Sequence, residues 1–213
     1  EYGDITPKYE ALQEVMSQYL GKELQKPERV ETQNIGEVVL NRSVSLFDSL
    51  NDIGDRFSDE FARNMEYYSQ DYGYILYRCH IKPGQQLMLL GLKDVFDRTH
   101  IYFNGIERGV IGRNDEKQYI ESTDWLNEGG VLELLVENQG RVNFGPDMLY
   151  GERKGICGYA FVMDRVGVKQ ILSDWEIYTL PMTKLNNLKY NGGKRLPAFF
   201  TGTFEKKKKK DCF

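Results

Sequence analysis

The chain has few of the residues that most enzyme chemistry needs. Its 213 residues include two histidines and three cysteines. Cys79, Cys157 and Cys212 show no CxxC spacing and no nearby histidine pair, which removes the usual zinc patterns. Buried free thiols are expected rather than a Cys79–Cys157 bridge. His80 and His100 have no serine or cysteine nucleophile at a recognisable spacing. No phosphate-binding loop, dinucleotide glycine pattern or HExxH stretch occurs. The expectation is therefore no metal, no cofactor and no catalytic residue. No run approaches the roughly 20 apolar residues of a membrane helix, and no signal-peptide pattern is visible, so no membrane partner is expected. The start at Glu1 reads as a processed or excised product. Basic charge is also scarce outside one place. The net charge is −4 even though five lysines sit together at Lys206–Lys210. The rest of the chain is more acidic still, with no footprint for nucleic acid. The lysine run reads as a solvated tail rather than a lipid-binding patch.

What is abundant points to β-structure. Fourteen Tyr and 11 Phe favour pleated surfaces, and 21 Gly favour frequent turns. One helix is expected at the start. Thr6 is a good N-cap, Pro7 suits the first helical position, and Gly21 is a stop signal. Between them Tyr9, Leu12, Val15, Met16 and Tyr19 recur at helical spacing, an apolar stripe that needs something to pack on. Lys22–Gly36 is polar and aperiodic, a linker. Glu37–Phe47 alternates as a half-buried strand, and Asn51–Gln70 reads as loop with a short helical turn. Tyr72–Ile81 is the clearest strand, with Ile75, Tyr77, Cys79 and Ile81 on one face and Tyr74, Leu76, Arg78 and His80 on the other. Asn104-Gly105 between two such runs predicts a type I′ hairpin. Val131–Asn138, a central Ile156–Met163, Trp175–Leu180 and Phe199–Phe204 complete the series. Many short strands with turn signals between them argue for an antiparallel β-sandwich or jelly roll with a short N-terminal helix.

Chemistry has few places to reside. Glycoside hydrolysis generally uses two carboxylates about 5–10 Å apart. Glu133 and Glu137 share a strand face at a separation of roughly 13 Å, too far apart, and read as a solvated face. Sugars stack on exposed rings, so Tyr67, Tyr68, Tyr72, Tyr74, Trp125 and Trp175 are candidates, though most aromatics of a β-domain are core. The segment Val136–Gly145 leaves a strand, turns at Gly140 and carries Arg141 and Asn143 before another glycine. Arg141 is expected either to organise that turn from a buried position or to contact a ligand. Tyr72, Arg141 and Asn143 are the candidate carbohydrate-binding residues.

Several motifs then follow one another in a familiar order. They are Tyr72-Gly73-Tyr74-Ile75-Leu76-Tyr77-Arg78, Asp97-Arg98, Tyr102-Phe103-Asn104-Gly105, and Leu134-Leu135-Val136-Glu137-Asn138 with Gly140-Arg141-Val142-Asn143-Phe144-Gly145. Lys154-Gly155-Ile156, Trp175–Leu180, Leu196–Phe200 and Gly202-Thr203-Phe204 come after them. This series resembles the family 35 glycoside hydrolases, the β-galactosidases, over nearly the whole chain. Cys79 stands where such relatives commonly have threonine. Gly3-Asp4, Thr6, Lys8-Tyr9 and Leu12 resemble the end of the family's catalytic barrel.

The resemblance implies residues 1–21 as a remnant of the barrel's last helix and 22–36 as a linker. It implies 37–181 as an all-β, galactose-binding-domain-like jelly roll. Residues 182–213 would be a connector, the start of a further β-domain and the lysine-rich tail. It also implies that the catalytic glutamates lie in a barrel of about 250 residues not contained here. The expected role is a non-catalytic accessory domain supporting the barrel and substrate cleft of a secreted, periplasmic or lysosomal parent enzyme. The barrel is the expected partner, with galactosides and a second copy of the chain as further candidates. The alternative is an independent galactoside-binding module.

Overall fold

A computed structural model describes residues 4–27, 32–122, 124–146, 148, 151–205 and 211–212. The lysine run Lys206–Lys210 and the Cys212 side chain lie outside the described residues. The chain divides into two units, residues 1–43 with 200–213, and residues 44–199.

In the first unit, α1 (Pro7–Leu20) forms as its caps dictate. The Thr6 hydroxyl accepts from the Tyr9 N–H at 3.2 Å, and Gly21 adopts φ 63°. None of its residues is buried, and Tyr19 is 89% exposed. The apolar stripe therefore has no cover among the described residues. The same unit contains β1 (Thr32–Gln33), which pairs in parallel with a short strand at Asp211–Cys212.

The second unit is a sandwich. After β2 (Arg42–Ser45), α2 (Leu46–Ile53) and β3 (Asp55–Asp59) come β4 (Tyr74–Ile81), β5 (Leu87–Phe96), β6 (Arg98–Phe103), β7 (Ile106–Gly112) and β8 (Tyr119–Glu121). They are followed by β9 (Gly130–Glu137), β10 (Gly155–Asp164), β11 (Lys169–Ile171), β12 (Trp175–Leu180) and β13 (Ala198–Thr201); the Asp211–Cys212 strand is β14. One sheet has the order β3-β12-β4-β9-β6-β7, the other β11-β10-β5-β8, with antiparallel neighbours throughout. The expected mainly β, antiparallel class is the observed one.

Strand alternation builds the core. Ile75, Tyr77, Cys79 and Ile81 of β4 meet Leu90, Leu92, Ile156 and Val162 of the facing sheet in one buried cluster. Tyr77 is fully buried, and its hydroxyl is satisfied twice. It donates to the Arg63 carbonyl at 2.6 Å and accepts from the Ile156 N–H at 3.2 Å. The hairpin forms where Asn-Gly demands it, with φ 50° at Asn104 and 80° at Gly105. The Asn104 side chain then clamps the start of β9, bonding Gly129 O and Val131 N at 3.1 and 2.9 Å. A Cβ on Gly130 would sit 2.0 Å from the Asn104 amide oxygen, so only glycine fits there.

Two expectations need correction. Glu37–Phe47 is not one strand, because Leu46, Phe47, Leu50 and Ile53 recur at helical spacing and α2 buries them all. Asn51–Gln70 contains β3, an edge strand whose polar residues gave no alternation to detect. The thiols also divide. Cys79 and Cys157 are both free, but only Cys79 is buried. Ile156 takes the inward position of its strand, which turns Cys157 out.

The strongest constraint lies at one end of the sandwich. Lys154, with no exposed surface, precedes β10 and donates to both oxygens of Asp97 at 2.9 and 2.8 Å. It also reaches Glu152 at 3.0 Å and the Gly140 carbonyl at 2.5 Å. Arg113 adds a second cation, bonded to Asp97 at 3.0 Å and to Glu152. Two cations face two carboxylates, so the cluster is neutral, and that balance is what makes burying it affordable. Lys154→Met would leave Asp97 buried with Arg113 as its one remaining cation in the cluster. It is expected to cost about 3–5 kcal/mol, read as a lower denaturation midpoint with an unchanged denaturant slope.

The same cluster sets an acid limit. Burial works against the charged form of Glu152, but the Val142 N–H, Lys154 and Arg113 outweigh it and hold the carboxyl at about 2. Its folded value lies below its ordinary value of 4.5, so its contribution is present above that value and fades as pH falls toward about 2. Glu152→Gln should flatten the loss of stability over that window in urea titrations at stepped pH. A parallel slope in both proteins would contradict the assignment.

Candidate functional site

The buried cluster carries a surface loop. After β9 the chain passes Asn138 and Gly140, and three groups hold it in place. The Gln139 N–H donates to Asp97 at 2.8 Å, the Gly140 carbonyl accepts from Lys154, and the Val142 N–H donates to Glu152 at 2.7 Å. Residues 139–142 thus rest on the ion cluster through their own backbone.

Arg141 ties this loop to the turn before β4. Its guanidinium bonds Glu66 at 2.5 Å and the Asp71 carbonyl at 3.1 Å, while the Asn138 amide bonds the same carbonyl at 2.9 Å. Glu66 in turn accepts from the Lys154 backbone N–H at 3.1 Å. Arg141 therefore organises the turn, from a side chain that is 41% exposed rather than buried. Tyr72 follows directly on Asp71 and is 70% exposed. Asn143 is exposed on the loop itself. The three candidate carbohydrate-binding residues thus lie on two segments joined by Arg141, with Tyr72 and Asn143 open to solvent. Of the other candidate rings, Trp125 and Trp175 are core, Tyr67 is exposed, and Tyr68 and Tyr74 are half-buried.

Elsewhere a charged ladder crosses the outer face of the six-stranded sheet. Arg78 on β4 lies opposite Glu133 on β9 and Glu176 on β12. It bonds Glu133 at 2.8 Å and Glu176 at 2.8 Å; Arg195 also meets Glu133, and Arg56 meets Glu176. Glu133 is 3% exposed, so the expected solvated strand face is overturned. The cause is long-range pairing. Register places Arg78 across from it, and residue 195 arrives from far along the chain. Two guanidiniums, Arg78 and Arg195, take up the Glu133 carboxylate, which ties the three strands and the later segment together at this point. Among the described residues no group of three or more His, Cys, Asp or Glu is arranged to hold a metal ion.

Residues 63–181 match the family model for the first all-β domain of β-galactosidases. The β-galactosidase of Xanthomonas manihotis is 31% identical over 95% of this chain and 33% of its own length. β-Galactosidase 8 of Oryza sativa subsp. japonica is 29% identical over 88% of this chain and 29% of its own. β-Galactosidase-1-like protein 2 of Homo sapiens is 29% identical over 95% and 32%. The chain spans about a third of the length of the curated relatives it matches. Both segments that Arg141 joins, the β4 turn and the loop after β9, fall inside the matched residues. The chain belongs to the β-galactosidases of glycoside hydrolase family 35, and residues 63–181 are their first all-β domain.

Proposed function

We propose that this chain is a non-catalytic accessory region that braces the catalytic barrel and substrate cleft of a β-galactosidase. The observation that carries the reading is the pinned loop rim. A neutral ion cluster fixes residues 139–142 from below, and the rim they form displays Tyr72 and Phe144, 70% and 88% exposed. Exposed rings beside a backbone held by hydrogen bonds suit contact with a neighbouring domain, because little backbone freedom remains to be lost on docking. The uncovered stripe of α1 supports the same reading, as it too needs an apolar neighbour.

The second reading is independent galactoside binding through Tyr72, Arg141 and Asn143. It is favoured by the exposed Tyr72 ring beside polar groups. It is weakened by Arg141, whose guanidinium is already bonded to Glu66 and Asp71.

Titration calorimetry with galactose and lactose is expected to show no heat, and a nitrophenyl β-galactoside is expected to show no turnover. Heat that disappears in Tyr72→Ala would establish the second reading, and turnover at an enzyme-like rate would sink both. In a full-length parent enzyme, Lys154→Met should lower activity together with melting temperature. Full activity in a variant whose β-region has visibly lost stability would count against the bracing role.

A further inference from the structure

The outer face of the six-stranded sheet carries a feature that the bracing role does not use. At its centre is Leu135 of β9, opposite Leu76 on one side and His100 on the other. One step along, Glu137 lies opposite Tyr74. Over this floor pass the start of α2 at Leu46, residue Met182, and the segment Pro197–Phe199. The cover does not close. It leaves a pocket of about 330 Å³ whose walls include the rings of Tyr74, Tyr102 and Phe199. That is at the small end of the range for ligand sites, roughly 300–1,000 Å³. An apolar cavity of roughly 150 Å³ accepts benzene, so this one has room for a ring and a substituent.

The polar groups are few and placed to one side. The Glu137 carboxylate accepts from the Gln139 amide at 3.2 Å and lies 3.5 Å from the Tyr74 hydroxyl. Two carboxylate oxygens offer about four acceptor positions, so these contacts leave capacity for another donor. His100 engages Glu107 through Nδ1 at 2.9 Å, which leaves Nε2 as its second polar position. Burial, then the nearby Glu137, raises the Tyr74 pKa, so the phenol stays neutral.

We propose that this pocket binds a small aromatic amphiphile, one six-membered ring bearing a single hydrogen-bond donor directed at Glu137. The lining decides between ligand classes. A galactose ring carries hydroxyls around its whole edge, and each one buried without a partner costs about 1–3 kcal/mol. Leu46, Leu135, Met182 and Pro197 offer it none through their side chains. An aryl ring buries its body against those residues and needs only the one polar contact.

The test uses the whole chain with 4-methylphenol, benzylamine and galactose as separate probes, followed by two-dimensional NMR of labelled protein. Both aromatics are expected to shift the resonances of His100, Leu135 and Ala198, and galactose is expected to leave them in place. Ala198→Trp should fill the space and weaken binding of both by at least about tenfold, with Ala198→Leu intermediate should the larger ring disturb folding. Glu137→Gln should weaken benzylamine more than the phenol, because it removes the charge but keeps an acceptor. Shifts confined to other parts of the surface, equal binding in the Ala198 variants, or galactose shifting the same resonances would each overturn the proposal. Failure here leaves the bracing role untouched, since that role rests on the loop rim and not on this pocket.

Discussion

The structure depends on one buried ammonium. Lys154 has no exposed surface, yet every hydrogen-bond direction it has is used, by Asp97, Glu152 and the Gly140 carbonyl. An ammonium buried there without partners would carry the full cost of an unpaired charge. Here the carboxylates of Asp97 and Glu152 arrive from opposite sides in sequence, one just after β5 and one just before β10. The pairing therefore holds two neighbouring strands of the smaller sheet at a fixed end point. Because Arg113 is bonded to the same two carboxylates, the start of the segment after β7 is tied in as well. Losing the ammonium would disturb four segments together, since it and its two carboxylates bond residues 97, 113, 139–142 and 152.

The six-stranded sheet shows how one alternation serves two purposes. Its inward residues are apolar without exception along β4, and they form the sandwich core. Its outward residues change character along the strand. Leu76 joins Leu135, Tyr178 and α2 in a second apolar cluster, whereas Arg78, one position further on the same face, enters the ladder with Glu133 and Glu176. The boundary between the two zones is stitched by rings under guanidiniums. Arg78 lies 5.4 Å from the Tyr178 ring centre and Arg195 lies 3.8 Å from that of Phe47. Such stacking lets a cation rest against apolar surface without leaving its carboxylate.

Local chemistry was legible in the sequence, and long-range chemistry was not. The caps of α1, the Asn104-Gly105 turn and the two faces of β4 each depend on residues a few positions apart, so spacing alone revealed them. The six-residue run Trp175–Leu180 was found the same way. Glu133 was misread because its partners lie 55 and 62 residues away, and no spacing rule connects them. The same holds for Lys154, whose place in Lys154-Gly155-Ile156 gives no sign that its side chain is buried. β3 was invisible for a different reason. It is an edge strand with exposed residues, and a strand with no buried face leaves no period in the sequence. α2 was lost because a strand-like alternation ahead of it ran into a helical one without a glycine or proline between them.

The candidate carbohydrate residues illustrate what a short motif can and cannot tell. Arg141 and Asn143 sit in one short motif, yet the structure gives them different work. Arg141 is spent internally, on Glu66 and the Asp71 carbonyl, and its removal would free the Tyr72 turn before it affected any ligand. Asn143 and Tyr72 remain open, and they are positioned by Arg141 and Asn138 on the Asp71 carbonyl, by the Gln70 amide on the Tyr72 carbonyl and by the Val142 N–H on Glu152, with Glu66 and the backbone of Lys154 beneath. The chain of contacts runs inward, from exposed ring to surface ion pair to buried ammonium. A change at any inner step therefore moves the rim, while a change at the rim leaves the interior in place. This ordering makes the loop's geometry a property of the fold, because its backbone is held by Asp97, Glu152 and Lys154.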